Sequence, residues 1–160
     1  MIITLLRHAD AEPQRIGIAD ADRHLTEKGE KQAKRLARFC LRNRLLPGRL
    51  YASPLARAQQ TAKLLQANLT GCPMPHTAPW LAGDNDTHTL LHELTKLAED
   101  TDDVWLVGHE PNYSDVVGQL LSTSPASVIV KKASLIRLEI TFAEPATATL
   151  LWSIPCSLMH

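Results

Sequence analysis

From Met1 to Leu121, short apolar runs alternate with stretches of helical periodicity, and that alternation limits the fold more than any other feature. Met1–Leu6, Arg49–Ser53 and Asp103–Val107 read as short strands, the first and last apolar on both faces as in a buried parallel sheet. Thr26 is placed to N-cap a helix with Ala33, Leu36, Ala37 and Cys40 on one face, stopped by Pro47-Gly48. Ser53-Pro54 reads as a cap and first-turn proline for a helix carrying Ala58, Ala62, Leu65 and Leu69. Leu90, Leu91, Leu94 and Leu97 mark a helix from Thr87 to about Glu99, and Pro111 opens another through Leu121. Between them, residues 71–86 are rich in Pro, Gly and Asp and read as a loop holding at most a short edge strand. Ser127–Val130, Leu135–Phe142 and Thr147–Ile154 read as closing strands that add antiparallel edges. The expectation is one α/β domain over residues 1–160, with three layers and a mostly parallel central sheet flanked by helices.

Composition narrows the function classes. A chain of 160 residues with 44% hydrophobic and 21% charged content can bury a real core. Lys+Arg and Asp+Glu balance at 17 each, so no global field draws in nucleic acid or an anionic membrane. A site for an anion must concentrate its positive charge locally. Cys40, Cys72 and Cys156 form neither a CxxC pair nor a disulfide framework, which favours a reducing compartment. The apolar start is too short for a signal-peptide core, and no stretch approaches the roughly 20 apolar residues that span a bilayer. A cytoplasmic monomer with no nucleic-acid or membrane partner is expected.

In open α/β sheets, ligands bind beyond the carboxyl ends of the strands. The first strand delivers Arg7-His8, the second Ser53 with Arg57 just inside the following helix, and the third Gly108-His109. With these strands as neighbours, two arginines and two histidines converge on one point. Guanidinium forks match phosphate oxygens, and helix N-termini add free N–H donors. A histidine among arginines is pushed towards its neutral, nucleophilic form, because like charge disfavours imidazolium. A hydrogen bond from its other nitrogen would select the tautomer.

The segments "LLRHADAE", "YASPLARAQQTA" and "VWLVGHEPN" resemble the Arg-His-Gly, Ser-Pro-x-x-Arg-Ala-x-Gln-Thr and second-histidine motifs of the histidine phosphatase (phosphoglycerate mutase-like) superfamily. Small size, "DRHLTEKGEKQA" and "VKKASLIRLE" resemble its compact SixA-type phosphohistidine phosphatases. The resemblance spans nearly the whole chain, with the motifs in family order. It implies a phosphoglycerate mutase-like fold and His8 as a nucleophile that is transiently phosphorylated. It further implies Arg7 and Arg57 as the phosphate clamp and His109 as the second histidine steadying the transferring group. It implies no metal and no cofactor. Arg23 reads equally as a substrate contact or a brace for the long loop after the first strand.

Position 9 is Ala where the family motif has Gly, which is tolerable so long as that residue does not need a positive φ. Asp10, Glu12, Asp84, Asp86 and Glu110 are all candidates for a leaving-group acid, and none matches a family acid motif. An alkoxide needs such an acid, worth roughly 10² to 10⁴-fold. A departing imidazole, with a pKa near about 6.5, leaves far more easily. A protein-borne phosphohistidine is therefore the favoured substrate, and a phosphohistidine-bearing protein the expected partner. A small-molecule phosphomonoesterase or phosphoanhydride hydrolase using a loop carboxylate is the alternative, and a non-catalytic phosphate-binding module a further one. Plainer readings attach to other residues: Ser53 as a helix cap, Lys132 as a solvated edge-strand lysine, and Trp80 as packing. His88 and His92 read as ordinary helical histidines, since "HTLLHE" lacks the HExxH glutamate position.

Overall fold

The computed structural model describes residues 1–160. Its elements in chain order are β1 (Ile2–Arg7), α1 (Glu27–Arg42), β2 (Arg49–Ala52), α2 (Ala56–Asn68), β3 (His76–Thr77), α3 (Thr87–Leu97), β4 (Asp103–Gly108), α4 (Asn112–Leu120), β5 (Leu135–Thr141) and β6 (Thr147–Ile154). One six-stranded sheet runs β3-β2-β4-β1-β5-β6. The first four in that order pair in parallel, and β5 and β6 close the sheet antiparallel, so the α/β architecture read from the sequence holds.

Alternation along the central strands splits the core into two layers, because successive side chains point to opposite faces. Leu6, Leu50, Ala52, Trp105 and Val107 pack on one side with Leu36, Ala37 and Cys40 of α1 and Ala58, Ala62 and Leu65 of α2. Ile3, Leu5, Val104 and Leu106 pack on the other with Leu90 and Leu94 of α3 and Tyr113, Val116 and Val117 of α4. Helices thus cover both faces of a sheet whose central strands admit no exposed side.

Register is what places the site. Arg7 pairs with Gly108 across β1 and β4, so the next residue on each strand, His8 and His109, leaves the sheet at the same level. The His8 N–H donates to the Gly108 carbonyl at 3.0 Å, and the Ser53 N–H to the Val107 carbonyl at 2.9 Å. All three strands therefore end at one edge.

Local details correct parts of the sequence reading. Thr26 does cap α1, its hydroxyl accepting from the Gly29 N–H at 3.1 Å. The helix ends at Arg42, before Pro47-Gly48: Arg44 turns to φ 54, and the Leu45 N–H reaches the Cys40 carbonyl at 2.9 Å. That left-handed residue followed by a backward bond is a Schellman ending. Ser53-Pro54 does not cap α2, which starts at Ala56 after Leu55 with no side-chain cap. Ser127–Val130 is not a strand. A 3-10 turn over Pro125–Ser127 leads into unpaired backbone, and the Val130 carbonyl takes a bond from Arg7 instead of a neighbouring strand. Lys132 is no edge-strand lysine either: it is half-buried in the turn before β5 and ion-paired to Asp10 at 2.7 Å.

Candidate active site

The C-terminal edge of the parallel strands gathers His8, Ser53, Arg57 and His109, each 6% exposed or less. His8 follows β1 directly, and its position is fixed from both sides. The Ala9 N–H donates to the Thr61 hydroxyl at 3.0 Å, and that hydroxyl donates to the Arg57 carbonyl at 2.7 Å, which ties the loop to the first turns of α2. Ala9 is fully buried and not among the positive-φ residues, so a methyl group fits where the family motif has glycine.

The partners of the His8 ring decide its tautomer. Nδ1 lies 2.8 Å from the Ala9 carbonyl, which can only accept, so Nδ1 carries the proton. Nε2 lies 3.3 Å from the Arg57 Nε–H, which can only donate, so Nε2 keeps its lone pair. Burial drives the His8 pKa down to about 3, with the charges of His109, Arg57 and Arg7 acting the same way and the Ala9 bond opposing. His8 is thus a neutral imidazole with its basic nitrogen aimed at a guanidinium.

His109 sits with its ring centroid 5.2 Å from that of His8. Its Nε2 is 2.6 Å from the Ser53 hydroxyl, while Nδ1 is buried without a hydrogen-bond partner. Burial, then the positive charge of Arg57, lowers its pKa to about 4, against the opposing charge of Asp20. Ser53 therefore orients this histidine rather than capping α2.

The arginines differ in how they are held. Arg7 donates from Nη1 to the Val130 carbonyl at 2.8 Å, and its buried Nε has no partner. Its charge reaches both histidines, but no hydrogen bond joins it to them. Arg57 is bound through Nη1 to the Asp20 carbonyl at 2.8 Å and through Nη2 to the Asp20 carboxylate at 3.1 Å. Arg23 binds the other oxygen of that carboxylate from Nε at 2.9 Å and the Glu12 carbonyl from Nη1 at 2.8 Å. Arg23 so braces the long loop while standing at the site. An open cavity of about 620 Å³ is lined by Asp20, Arg23, Arg57, Asp84, His109 and Glu110, among others. His8 is not among its lining residues.

Four of the five candidate acids have other partners. Asp10 accepts from Lys132 and, at 2.7 Å, from the Thr26 hydroxyl, and the Lys132 bond leads the causes holding its carboxyl below the usual range. Glu12 accepts from the His24 N–H at 3.1 Å. Asp86 caps α3 through the Thr89 N–H at 2.8 Å. Glu110 accepts from the Ser114 N–H at 2.8 Å and hydroxyl at 2.7 Å. Asp84 alone is exposed, without a hydrogen bond, and on the cavity wall. His88 and His92 have no third metal-ligating neighbour. No helix is long and apolar enough to cross a membrane.

Residues 3–81, which contain Arg7, His8, Ser53 and Arg57, match the model of the histidine phosphatase superfamily (branch 1). That match covers just under half of the chain and takes in the candidate nucleophile His8 with Arg7 and Arg57. Among solved structures, the chain is similar to the protein histidine phosphatase SixA complexed with tungstate, at 22% identity and TM-score 0.84 over 98% of each chain. It is also similar to a mycobacterial glucosyl-3-phosphoglycerate phosphatase, at 16% identity and TM-score 0.74 over 98% of this chain and 99% of that one. A third is a phosphoserine phosphatase from Entamoeba histolytica, at 16% identity and TM-score 0.70 over 97% of each chain. At these identities the likenesses carry the fold alone. No curated protein matches the chain in sequence.

Sequence reasoning passed over Asp20, Thr61 and Val130, all of which hold site residues in place. Thr61 was legible only as part of the "RAQQTA" motif, Asp20 lies in the long loop after β1, and Val130 ends a segment whose sequence reads as a strand.

Proposed function

We propose that this chain is a histidine phosphatase that hydrolyses phosphohistidine borne by another protein, through a covalent phosphoryl intermediate on His8. The observation that carries the reading is the His8 ring: a neutral imidazole whose Nε2 lone pair faces the Arg57 Nε–H. The incoming phosphorus bonds to Nε2 as its bond to the substrate imidazole breaks, and that imidazole leaves with the electron pair, neutral because its other nitrogen carries a proton. Water then attacks the phosphorus, the P–Nε2 bond breaks, and inorganic phosphate departs, the water proton passing to phosphate or solvent. Arg7, Arg57, Arg23 and His109 are the proposed substrate contacts, with Arg57 already aimed at the attacking atom. Arg7 Nε and His109 Nδ1 are buried without partners within the protein, so each has an unused position for a phosphoryl oxygen. Positioning and charge stabilisation supply most of such a catalysis.

The engaged state of Asp10, Glu12, Asp86 and Glu110 favours a substrate whose leaving group needs no acid. Turnover of a phosphohistidine-bearing protein, compared with phosphoserine and sugar phosphates at equal concentration, tests this. A preference of tenfold or more for phosphohistidine is expected, and a preference for monoesters would overturn the substrate assignment. One observation favours a second reading: Asp84 is free on the cavity wall and could protonate an alkoxide. Under that reading Asp84→Asn abolishes monoester turnover, whereas the phosphohistidine reading expects hydrolysis within about twofold of wild type.

A further inference from the structure

We propose that Asp20 is an internal competitor of the phosphoryl group: its carboxylate occupies the cationic site in the resting protein and is displaced when substrate binds. The inference rests on the reading of His8 and Arg57 as the phosphoryl site.

The geometry around Asp20 is that of a bound anion. One oxygen takes a bond from Arg57 Nη2 at 3.1 Å, and the other takes Arg23 Nε and Nη2, both at 2.9 Å. The Asp20 carbonyl adds a bond from Arg57 Nη1 at 2.8 Å. A single residue thus bridges the two guanidinium groups and shares Arg57 with His8. A phosphoryl group bonded to His8 Nε2 must lie against the Arg57 Nε–H, because that is the donor now facing the nitrogen. Nε and Nη2 lie along one edge of a guanidinium, the edge that grips an oxyanion with two parallel bonds. Using that edge brings phosphoryl oxygens onto Nη2, which the Asp20 carboxylate now holds. Two anions compete for one donor, at a separation well inside the Debye length of about 8 Å, where salt screens their repulsion little.

Displacement is structurally cheap for the carboxylate. Its side chain is 52% exposed, against 7% for Arg57. It projects from a loop, residues 13–24, whose only regular structure is the 3-10 turn Asp20–Asp22, with no buried residue. Ile16 is fully exposed and Gly17 turns at φ 89, so no core side chain anchors this segment, and its hold on α2 runs through the polar bonds of Arg57 to Asp20. Asp20 pulls away from the site without disturbing a core, whereas Arg57 cannot.

A consequence is selectivity by charge. A monoanionic ligand gains no more from the two guanidinium groups than Asp20 already supplies, so it does not expel the carboxylate. A phosphoryl dianion does. Asp20 in this role sets a threshold of charge for entry and weakens the grip on released inorganic phosphate.

Asp20→Asn and Asp20→Ala, titrated calorimetrically with inorganic phosphate beside wild type and Arg57→Ala, test the proposal. Both Asp20 variants are expected to bind phosphate roughly twofold to fivefold more tightly than wild type, from removal of a partly exposed like charge. Their KM for a phosphohistidine substrate should fall by a similar factor. If Asp20 instead only positions Arg57, both variants bind phosphate more weakly and kcat drops, which overturns the proposal, as does unchanged affinity. Equal phosphate affinity in wild type and Arg57→Ala would overturn the underlying site reading, whatever Asp20 does. Thermal melts show whether each variant is folded, and Asn preserves the side-chain shape should Ala loosen the loop.

Discussion

Replacing His8 by Asn should change how the protein's stability depends on pH, and by an amount that follows from its burial. His8 and His109 are 6% and 3% exposed, and their pKa values fall from 6.5 to about 3 and about 4. Both values lie below those of the unfolded chain, so below about pH 6.5 the unfolded state binds protons that the folded state refuses. Their stabilising contribution is present above pH 6.5 and is lost as pH falls towards 4 and 3. Between pH 7.5 and 5 each histidine removes about 2 kcal/mol, or about 4 kcal/mol for the pair, from a domain whose stability is of order 5–15 kcal/mol. His8→Asn keeps a donor for the Ala9 carbonyl and removes one of the two titrations. Urea denaturation of wild type and variant at half-unit steps from pH 7.5 to 5 gives the difference. The variant should lose about 2 kcal/mol less than wild type over that range. Superimposable pH curves would refute a buried, neutral His8. The carboxyls of Asp10 and Asp20, lowered from an ordinary 3.8, titrate below this window and leave the comparison clean.

Gly29→Ala should destabilise the fold by about 1–3 kcal/mol by chemical denaturation, because the new Cβ would stand 2.0 Å from the Asp10 carbonyl oxygen. Arg57→Ala should reduce kcat/KM for phosphohistidine by about 10² to 10³, the cost of deleting one charged donor at a site of developing charge; a loss under tenfold would remove Arg57 from the proposed clamp. Ser53→Ala should lower kcat by less than Arg57→Ala, since Ser53 reaches the chemistry only by orienting His109 through its 2.6 Å bond. Equal losses in the two variants would give Ser53 a direct role.

The convergence of the strand ends was legible because it depends on local pattern. Apolar runs such as Met1–Leu6 and Asp103–Val107 announce central strands, and central parallel strands must end together. What the pattern could not carry is the partnering of polar groups far apart in the chain. Ser53 and His109 are separated by 56 positions, Arg57 and Asp20 by 37, and Lys132 and Asp10 by 122. A hydrogen bond between such residues leaves no periodicity in either segment. Ser53-Pro54 misled for a related reason: the dipeptide has the chemistry of a cap, but the serine hydroxyl bonds His109, and α2 begins later. Val128 and Ile129 have the β-branched character of a strand, yet the neighbouring Val130 carbonyl serves Arg7. Local propensity yields there to a site interaction.

The position of phosphoryl attachment tests the mechanism most directly. Protein quenched during turnover of a phosphohistidine-bearing substrate, digested and analysed by ³¹P–¹H correlation, should carry phosphate on Nε2 of His8, because Nδ1 is tied to the Ala9 carbonyl at 2.8 Å. His8→Asn should trap none. Phosphate on Nδ1, or equal labelling of the His8→Asn protein, would contradict the assignment of His8 as the attacking group.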